Sequence, residues 1–263
     1  MRTAVELHAV VEGPEDAEVL VLSNSLGTTT AMWDPQMDEL RRRFRVVRYD
    51  LRGHDGSPVS PGPYDIADLG GDVLTLLDHL GVDRAHHCGL SIGGMIAMWV
   101  AANVPERVGR LILCCTSVRF DPPEAWADRA ATVLAEGTGA VADAVLARWF
   151  TPKFAETHPD RIASMRAIFA ATPAEGYAAC CGVVERTDLT PCLPFIQAPT
   201  LVIAAAEDPA APPEQGRRIA DGIPRASLSV VDGAAHLANI ERPDEVTGLI
   251  LAHLLDPSSK EDP

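Results

Sequence analysis

Ser91 stands in Gly89-Leu90-Ser91-Ile92-Gly93-Gly94, a G-x-S-x-G pattern between an apolar run, Ala85 to Cys88, and a helix-prone run, Met95 to Ala102. That context predicts a sharp strand-to-helix turn that lifts the hydroxyl clear of the chain. The turn needs the glycines, because a side chain at 89 or 93 would collide with its neighbours. The positive end of the following helix would lie beneath a reacting carbonyl. A serine hydroxyl is a weak nucleophile and needs a base. Of the eight histidines, His236 is best placed, in a loop after the last apolar run and before the last helical segment. His54, in Arg52-Gly53-His54-Asp55-Gly56-Ser57, is its rival. His79 and His253 read as helix residues. At least one of His86 and His87, beside a central strand, should be buried and hydrogen-bonded. The base needs an orienting carboxylate on its other nitrogen. Asp208, in Glu207-Asp208-Pro209, falls between nucleophile and base in chain order, with Glu207 its neighbouring rival. Acyl transfer also needs donors for the developing oxyanion. The backbone N–H of Ile92 is one candidate. That of Leu26, in Ser23-Asn24-Ser25-Leu26-Gly27, is the other.

These residues must be carried by elements that bring them to one edge. Val19 to Leu22, Val46 to Tyr49, Ala85 to Cys88, Leu111 to Cys114, Leu201 to Ala204 and Leu228 to Val231 read as short buried strands, suited to a parallel sheet covered on both faces. A helix starting at Asp65 carries Ile66, Leu69, Val73, Leu76, Leu77 and Leu80 at helical spacing, with Asp65 as cap and Gly81 as stop. A second runs from Pro243 to Leu255, with Val246, Leu249, Ile250, Leu254 and Leu255 on one face. Alternating strands and helices imply right-handed βαβ units. Residues 119–193 break the rhythm. They lack a strand pattern, are rich in alanine and aromatic residues, and are bounded by prolines. The expected organisation is an α/β core of residues 1–118 and 194–256, a helical lid over 119–193, and a flexible tail at 257–263. Insertions after strand ends often cover a site, though extra packing helices would read alike.

The 263 residues include 22 Lys and Arg against 37 Asp and Glu, a net charge of −15. That balance argues against nucleic acid and against an anionic membrane surface as partners. Hydrophobic residues at 47% and charged residues at 22% suit a globular chain. There is no run of about 18 apolar residues, so no membrane span is expected. The N-terminus lacks an apolar signal core. The six cysteines form no C-x-x-C pair and lie mostly in apolar runs, which reads as reduced, buried thiols in a cytoplasmic protein and not as a metal site. No metal and no organic cofactor are expected.

The chain resembles the α/β-hydrolase superfamily over most of its length. Tyr49 to Ser57 is similar to that family's D-x-R-G-x-G-x-S loop, with Asp55 where glycine is usual. Asp208 to Pro212 looks like its acid loop. His236 to Val246, with Glu241 and Pro243, looks like its histidine loop and following helix. The Ser91, Asp208, His236 order is the order of that fold. Within it, the chain resembles the 3-oxoadipate enol-lactonases. The resemblance rests on Leu22 to Gly27 with Met32-Trp33, on Gly89 to Met95, and on Arg148-Trp149-Phe150-Thr151-Pro152 and Tyr177 to Cys181. It implies a mostly parallel sheet with helices on both faces and a helical lid. It also implies hydrolysis of the enol-lactone of 3-oxoadipate, a small anionic lactone, in aromatic catabolism. Some actinobacterial members carry a following decarboxylase domain; its activity is not expected here. The substrate carboxylate calls for a cation. Arg119, Arg148, Lys153, Arg166 and Arg186 are available in the insertion, and the motif favours Arg148, with Trp149 and Trp126 beside the substrate. A solvated Arg148 and a packing Trp149 are the plainer alternatives. A broader carboxylesterase or lactonase, a cofactor-free perhydrolase and a non-catalytic ligand-binding homologue would share these features.

Overall fold

The computed structural model describes residues 4–256; the expected tail at 257–263 lies outside the described residues. The strands are β1 (Ala9–Glu12), β2 (Val19–Ser23), β3 (Arg45–Tyr49), β4 (Ala85–Leu90), β5 (Val108–Cys114), β6 (Thr200–Ala205) and β7 (Ala226–Val231). They form one sheet in the order β1-β3-β2-β4-β5-β6-β7. Only the β1–β3 pair is antiparallel, in the register Ala9 to Tyr49 and Glu12 to Val46. All six expected strands are present, extended by one to three residues. β1 is the strand the apolar pattern misses. It is four residues long and mostly half-buried at the sheet edge, so it carries no apolar run.

The helices are α1 (Asp34–Leu40), α2 (Ile66–His79), α3 (Ile92–Asn103), α4 (Glu124–Glu136), α5 (Ala142–Trp149), α6 (Pro152–Thr157), α7 (Pro159–Ala171), α8 (Ala174–Arg186), α9 (Pro213–Gly222), α10 (Ala238–Glu241) and α11 (Pro243–Leu255). α1 packs with α11, and α2 with α3. β6 buries all six of its residues, as a strand covered on both faces must. α2 begins as expected. The Asp65 carboxylate accepts from the Asp68 N–H, Asp68 answers to the Asp65 N–H, and Gly81 just beyond the end takes φ +67°. In α11, Val246, Ile250 and Leu254 are buried, but Leu255 is 52% exposed. It sits one residue, about 100° of helical turn, past Leu254 and so faces water.

Between β5 and β6 the chain forms α4 to α8 and no strand. This insertion is tied to the sheet's C-terminal edge. Leu237 N–H donates to the Trp149 carbonyl at 3.0 Å. The Glu241 carboxylate accepts from Thr151 N–H and Oγ1 on one oxygen and from Ala235 N–H on the other. Gly27 lies under Phe169 and Tyr177, whose rings a Cβ there would meet at 2.6 and 3.0 Å. All six cysteines are free, and five are buried. Among the described residues no single helix is long and apolar enough to cross a membrane.

Candidate active site

The turn after β4 places Ser91 at φ +59°, ψ −120°, a conformation costing of order 1–3 kcal/mol for a residue with a side chain. Its surroundings hold it there. Ser91 N–H donates to the Cys114 carbonyl at 3.0 Å, and the Thr116 hydroxyl donates to the Ser91 carbonyl at 2.6 Å. A Cβ on Gly89 would lie 2.2 Å from the Gly93 carbonyl oxygen, and one on Gly93 would lie 2.3 Å from that of Ser23. The second contact sets the site's geometry, because it lets the start of α3 press against the end of β2, where the Leu26 loop begins.

Asp208 follows β6 and is 3% exposed, as is His236 after β7. His236 Nδ1 lies 2.8 Å from Asp208 Oδ2. The other carboxylate oxygen, Oδ1, accepts from the N–H groups of Ala210 and Ala211 at 2.8 and 3.0 Å. The carboxylate is thus fixed with Oδ2 aimed at the imidazole. An ionised carboxylate only accepts, so Nδ1 carries the proton and Nε2 is left basic. Glu207, the rival, is exposed. Ser91, His236 and Leu26 line one cavity of about 330 Å³. A larger cleft of about 740 Å³ opens at the opposite, N-terminal end of the strands, beside Val19, Ala85 and Val108. It contains neither Ser91 nor His236, so the smaller cavity is the one placed for chemistry.

In the loop after β2, Ser25 N–H donates to Met32 Sδ, Gly27 N–H to His54 Nε2 and Thr28 N–H to the Ser25 carbonyl. The Leu26 N–H has no acceptor among the described residues. The N–H of Ile92 at the start of α3 is likewise free. Those are the two expected oxyanion donors. His54, the rival base, does not line this cavity; it is fully buried beneath the Leu26 loop, and burial pushes its imidazole down to about 4. Asp55 takes φ +40°, the region where glycine is at ease, which accounts for the usual glycine there.

His86 Nδ1 accepts from Arg110 N–H at 3.0 Å. His87 is buried, and its Nε2 has no partner among the described residues. His79 is exposed, and half-buried His253 contacts the Pro199 carbonyl. Of the insertion's expected cations, only Arg148 lines the cavity, together with Trp126 and Trp149. Arg119 pairs with Asp121 and Arg166 with Asp143; Arg186 donates to the Tyr64 carbonyl, and Lys153 is exposed. A second cation, Arg129, also lines the cavity and escaped the sequence reading. It is half-buried over the Trp126 ring and hydrogen-bonded to Tyr177. Its signal was the Trp126/Arg129 spacing of three, which puts both on one face of a helix. One group with metal-ligand spacing occurs among the described residues, His8, Asp50 and Asp55. None of the three lines this cavity.

An elbow serine on a mostly parallel sheet, with its acid and histidine on later strand-end loops, defines a serine hydrolase architecture. Residues 18–243 match the family model described as the alpha/beta hydrolase fold, and the chain belongs to that family. It is 38% identical to 3-oxoadipate enol-lactonase 2 of Acinetobacter baylyi, over 91% of this chain and 89% of that one. The crystal structure of the enol-lactonase from Burkholderia xenovorans LB400 superposes with a TM-score of 0.93 at 44% identity, covering 94% of this chain and 96% of that one. RutD of Variovorax paradoxus, named for carbamate hydrolysis, is 32% identical over 89% of this chain and 90% of its own length.

Proposed function

We propose that this chain hydrolyses the enol-lactone of 3-oxoadipate by covalent catalysis through Ser91, with Asp208 and His236 completing the triad. The observation that carries the reading is the pairing of this site with two arginines, Arg129 and Arg148, that line the same cavity without a carboxylate partner among the described residues. A neutral ester needs no such cations; a lactone bearing a carboxylate does. The two enol-lactonase relatives support the same substrate class.

In the first half-reaction Ser91 Oγ attacks the lactone carbonyl carbon while His236 Nε2 takes its proton. Asp208 holds the tautomer and favours the imidazolium that forms. The carbonyl oxygen becomes an oxyanion facing the Leu26 and Ile92 N–H groups; losing one such donor typically costs about 3–4 kcal/mol of barrier. The ring C–O bond then breaks. The electron pair leaves on the enolate oxygen, which stays tethered through the acyl group; the His236 imidazolium gives up its proton to the enolate α-carbon, which makes the ketone and leaves His236 neutral for the second half-reaction. In the second half-reaction His236 takes a proton from water, the hydroxide attacks the acyl carbon, and Ser91 recovers its proton as 3-oxoadipate departs. None of these steps calls on a metal or organic cofactor. The helices of residues 119–193 act as a lid over the cavity, and the six free thiols suit a reducing, cytoplasmic setting.

The RutD relative favours a second reading, carbamate hydrolysis by the same acyl transfer. Steady-state kinetics on the enol-lactone, a carbamate and p-nitrophenyl acetate decide between them. The enol-lactone is expected to have the highest kcat/KM, with all turnover lost in Ser91→Ala. A higher kcat/KM for a simple ester or carbamate would overturn the enol-lactone assignment. Turnover surviving at the wild-type rate in Ser91→Ala would overturn the nucleophile.

A further inference from the structure

We propose that His54 is a positioning residue that sets the oxyanion hole, by holding the Leu26 loop through the Gly27 N–H and bracing it against helix α8 of the insertion. The inference rests on the reading of Leu26 and Ile92 as the oxyanion donors.

The imidazole is fully buried and has a defined role for each nitrogen. Nδ1 lies 3.3 Å from the Arg52 carbonyl, which can only accept, so Nδ1 carries the proton. Nε2 is therefore a lone-pair acceptor, and the Gly27 N–H donates to it at 3.1 Å. Burial disfavours the imidazolium, so the ring stays neutral and Nε2 remains an acceptor at neutral pH. Gly27 directly follows Leu26 and sits at φ +78°. Anchoring its N–H fixes the peptide plane between Leu26 and Gly27, and so restrains the C-terminal side of the residue whose N–H is the expected donor.

The other side of His54 is clamped by the insertion. Gly53, at φ +76°, meets Gly176 of α8 backbone to backbone; a Cβ on Gly53 would lie 2.5 Å from the Gly176 Cα, and one on Gly176 2.1 Å from the Gly53 carbonyl oxygen. The Cys180 thiol, also on α8, donates to the same Arg52 carbonyl that fixes the tautomer, at 3.8 Å. The Tyr177 ring packs near the imidazole, 6.4 Å between centroids. Seating of α8 is thus transmitted through residues 52–54 to the loop that carries an oxyanion donor. A buried histidine kept only for volume would need neither the defined tautomer nor this acceptor.

The test uses His54→Gln and His54→Asn in the full chain. The glutamine carbonyl reaches the Nε2 position and can accept from Gly27. The asparagine amide reaches only the Nδ1 position. With p-nitrophenyl acetate, His54→Asn is expected to lower kcat by roughly 10- to 100-fold, part of the effect of losing an oxyanion donor. KM should stay within about twofold, and His54→Gln should recover most of the rate. Equal losses in both variants that track their thermal melting would overturn the proposal, as would an unchanged kcat in His54→Asn. A second measurement needs no substitution. In wild-type protein labelled with ¹⁵N-histidine, a boronic acid that forms a tetrahedral adduct on Ser91 should shift the His54 Nε2 resonance, and no shift would overturn the inference. Failure of the nucleophile assignment is distinguishable, because then Ser91→Ala would retain turnover and the boronic acid would not bind.

Discussion

The guanidinium carbon of Arg129 lies 4.4 Å from the centre of the Trp126 ring, and both side chains line the cavity that holds Ser91. The ring face attracts the cation without neutralising it. Arg119 and Arg166, by contrast, spend their charge on Asp121 and Asp143 at the surface. A chain of net charge −15 therefore keeps two uncompensated cations where a small anion would sit. Asp121 also lines the cavity, but Arg119 pairs with it, and partial exclusion of water strengthens the field of the two arginines there relative to the more distant carboxylates.

Replacing either cavity arginine by methionine should weaken binding of an anionic lactone far more than that of a neutral ester. A hydrogen bond to a charged group is worth about 1.5–3 kcal/mol, so KM for the lactone should rise roughly 10- to 100-fold, while KM for p-nitrophenyl acetate changes by less than threefold. Arg129 is half-buried and Arg148 exposed, so the larger effect is expected at Arg129. Parallel measurement of both substrates checks this; equal shifts on the two would place the substrate carboxylate elsewhere.

Asp208→Asn should retain the fold and lose activity. The amide can still occupy the Ala210 and Ala211 donors through its carbonyl oxygen, but it then presents an NH₂ to His236 Nδ1. That favours the tautomer with the proton on Nε2, which cannot serve as base. The expected loss in kcat is about 10⁴-fold. Glu207→Gln is expected to leave kcat unchanged, because Glu207 is exposed and only its main-chain N–H is engaged, by Ala234. A large loss in Glu207→Gln with none in Asp208→Asn would reverse the assignment.

The strands and the positions of Ser91, Asp208 and His236 on strand-end loops were legible because buried parallel strands need continuous apolar runs, and because the turn at Ser91 needs glycine at fixed offsets. Gly89 and Gly93 show why, each meeting main-chain oxygens within 2.3 Å if given a Cβ. β1 was not legible, since a half-buried edge strand such as Ala9–Glu12 needs no such run. Leu255 looked like part of an apolar face but lies on the exposed side of α11. Arg129 and His54 were hidden for a different reason. Their roles depend on contacts between segments far apart in sequence, Gly27 with His54 and Tyr177 with Arg129, which no local spacing encodes.

Gly93→Ala should disrupt both stability and catalysis. Its Cβ would lie 2.3 Å from the Ser23 carbonyl oxygen and 2.8 Å from that of Asn24, both main-chain atoms at the end of β2. Relief requires α3 and β2 to move apart, which separates the Ile92 and Leu26 N–H groups. Overpacking of this kind costs about 1–3 kcal/mol. Urea unfolding should show that loss, and kcat should fall by at least roughly tenfold, since small displacements of aligned groups are costly.

His87 should make stability rise with pH on the acid side. It is buried in β4, and burial pushes its imidazole down to about 4, with the charges of His86 and Arg107 adding to the shift. In the unfolded chain the ordinary value is about 6.5. Between those two values the unfolded state binds a proton that the native state does not. The contribution is therefore fully present above about pH 6.5, shrinks as the pH falls, and is gone below about 4. Its size is roughly 3 kcal/mol. His54 adds a contribution of the same sign over the same window. Asp50 and Asp72, whose carboxyls burial holds above their usual range, act in the opposite direction. The His87 part is isolated by comparison with His87→Asn, which cannot titrate and keeps a donor for the Arg107 main chain. Unfolding free energies at pH 5 and pH 7 should differ less in the variant than in the wild type, by up to about 1.4 kcal/mol per pH unit. Identical pH dependence in the two proteins would mean that His87 binds protons in the native state as it does in the unfolded chain, which would overturn the predicted lowering by burial.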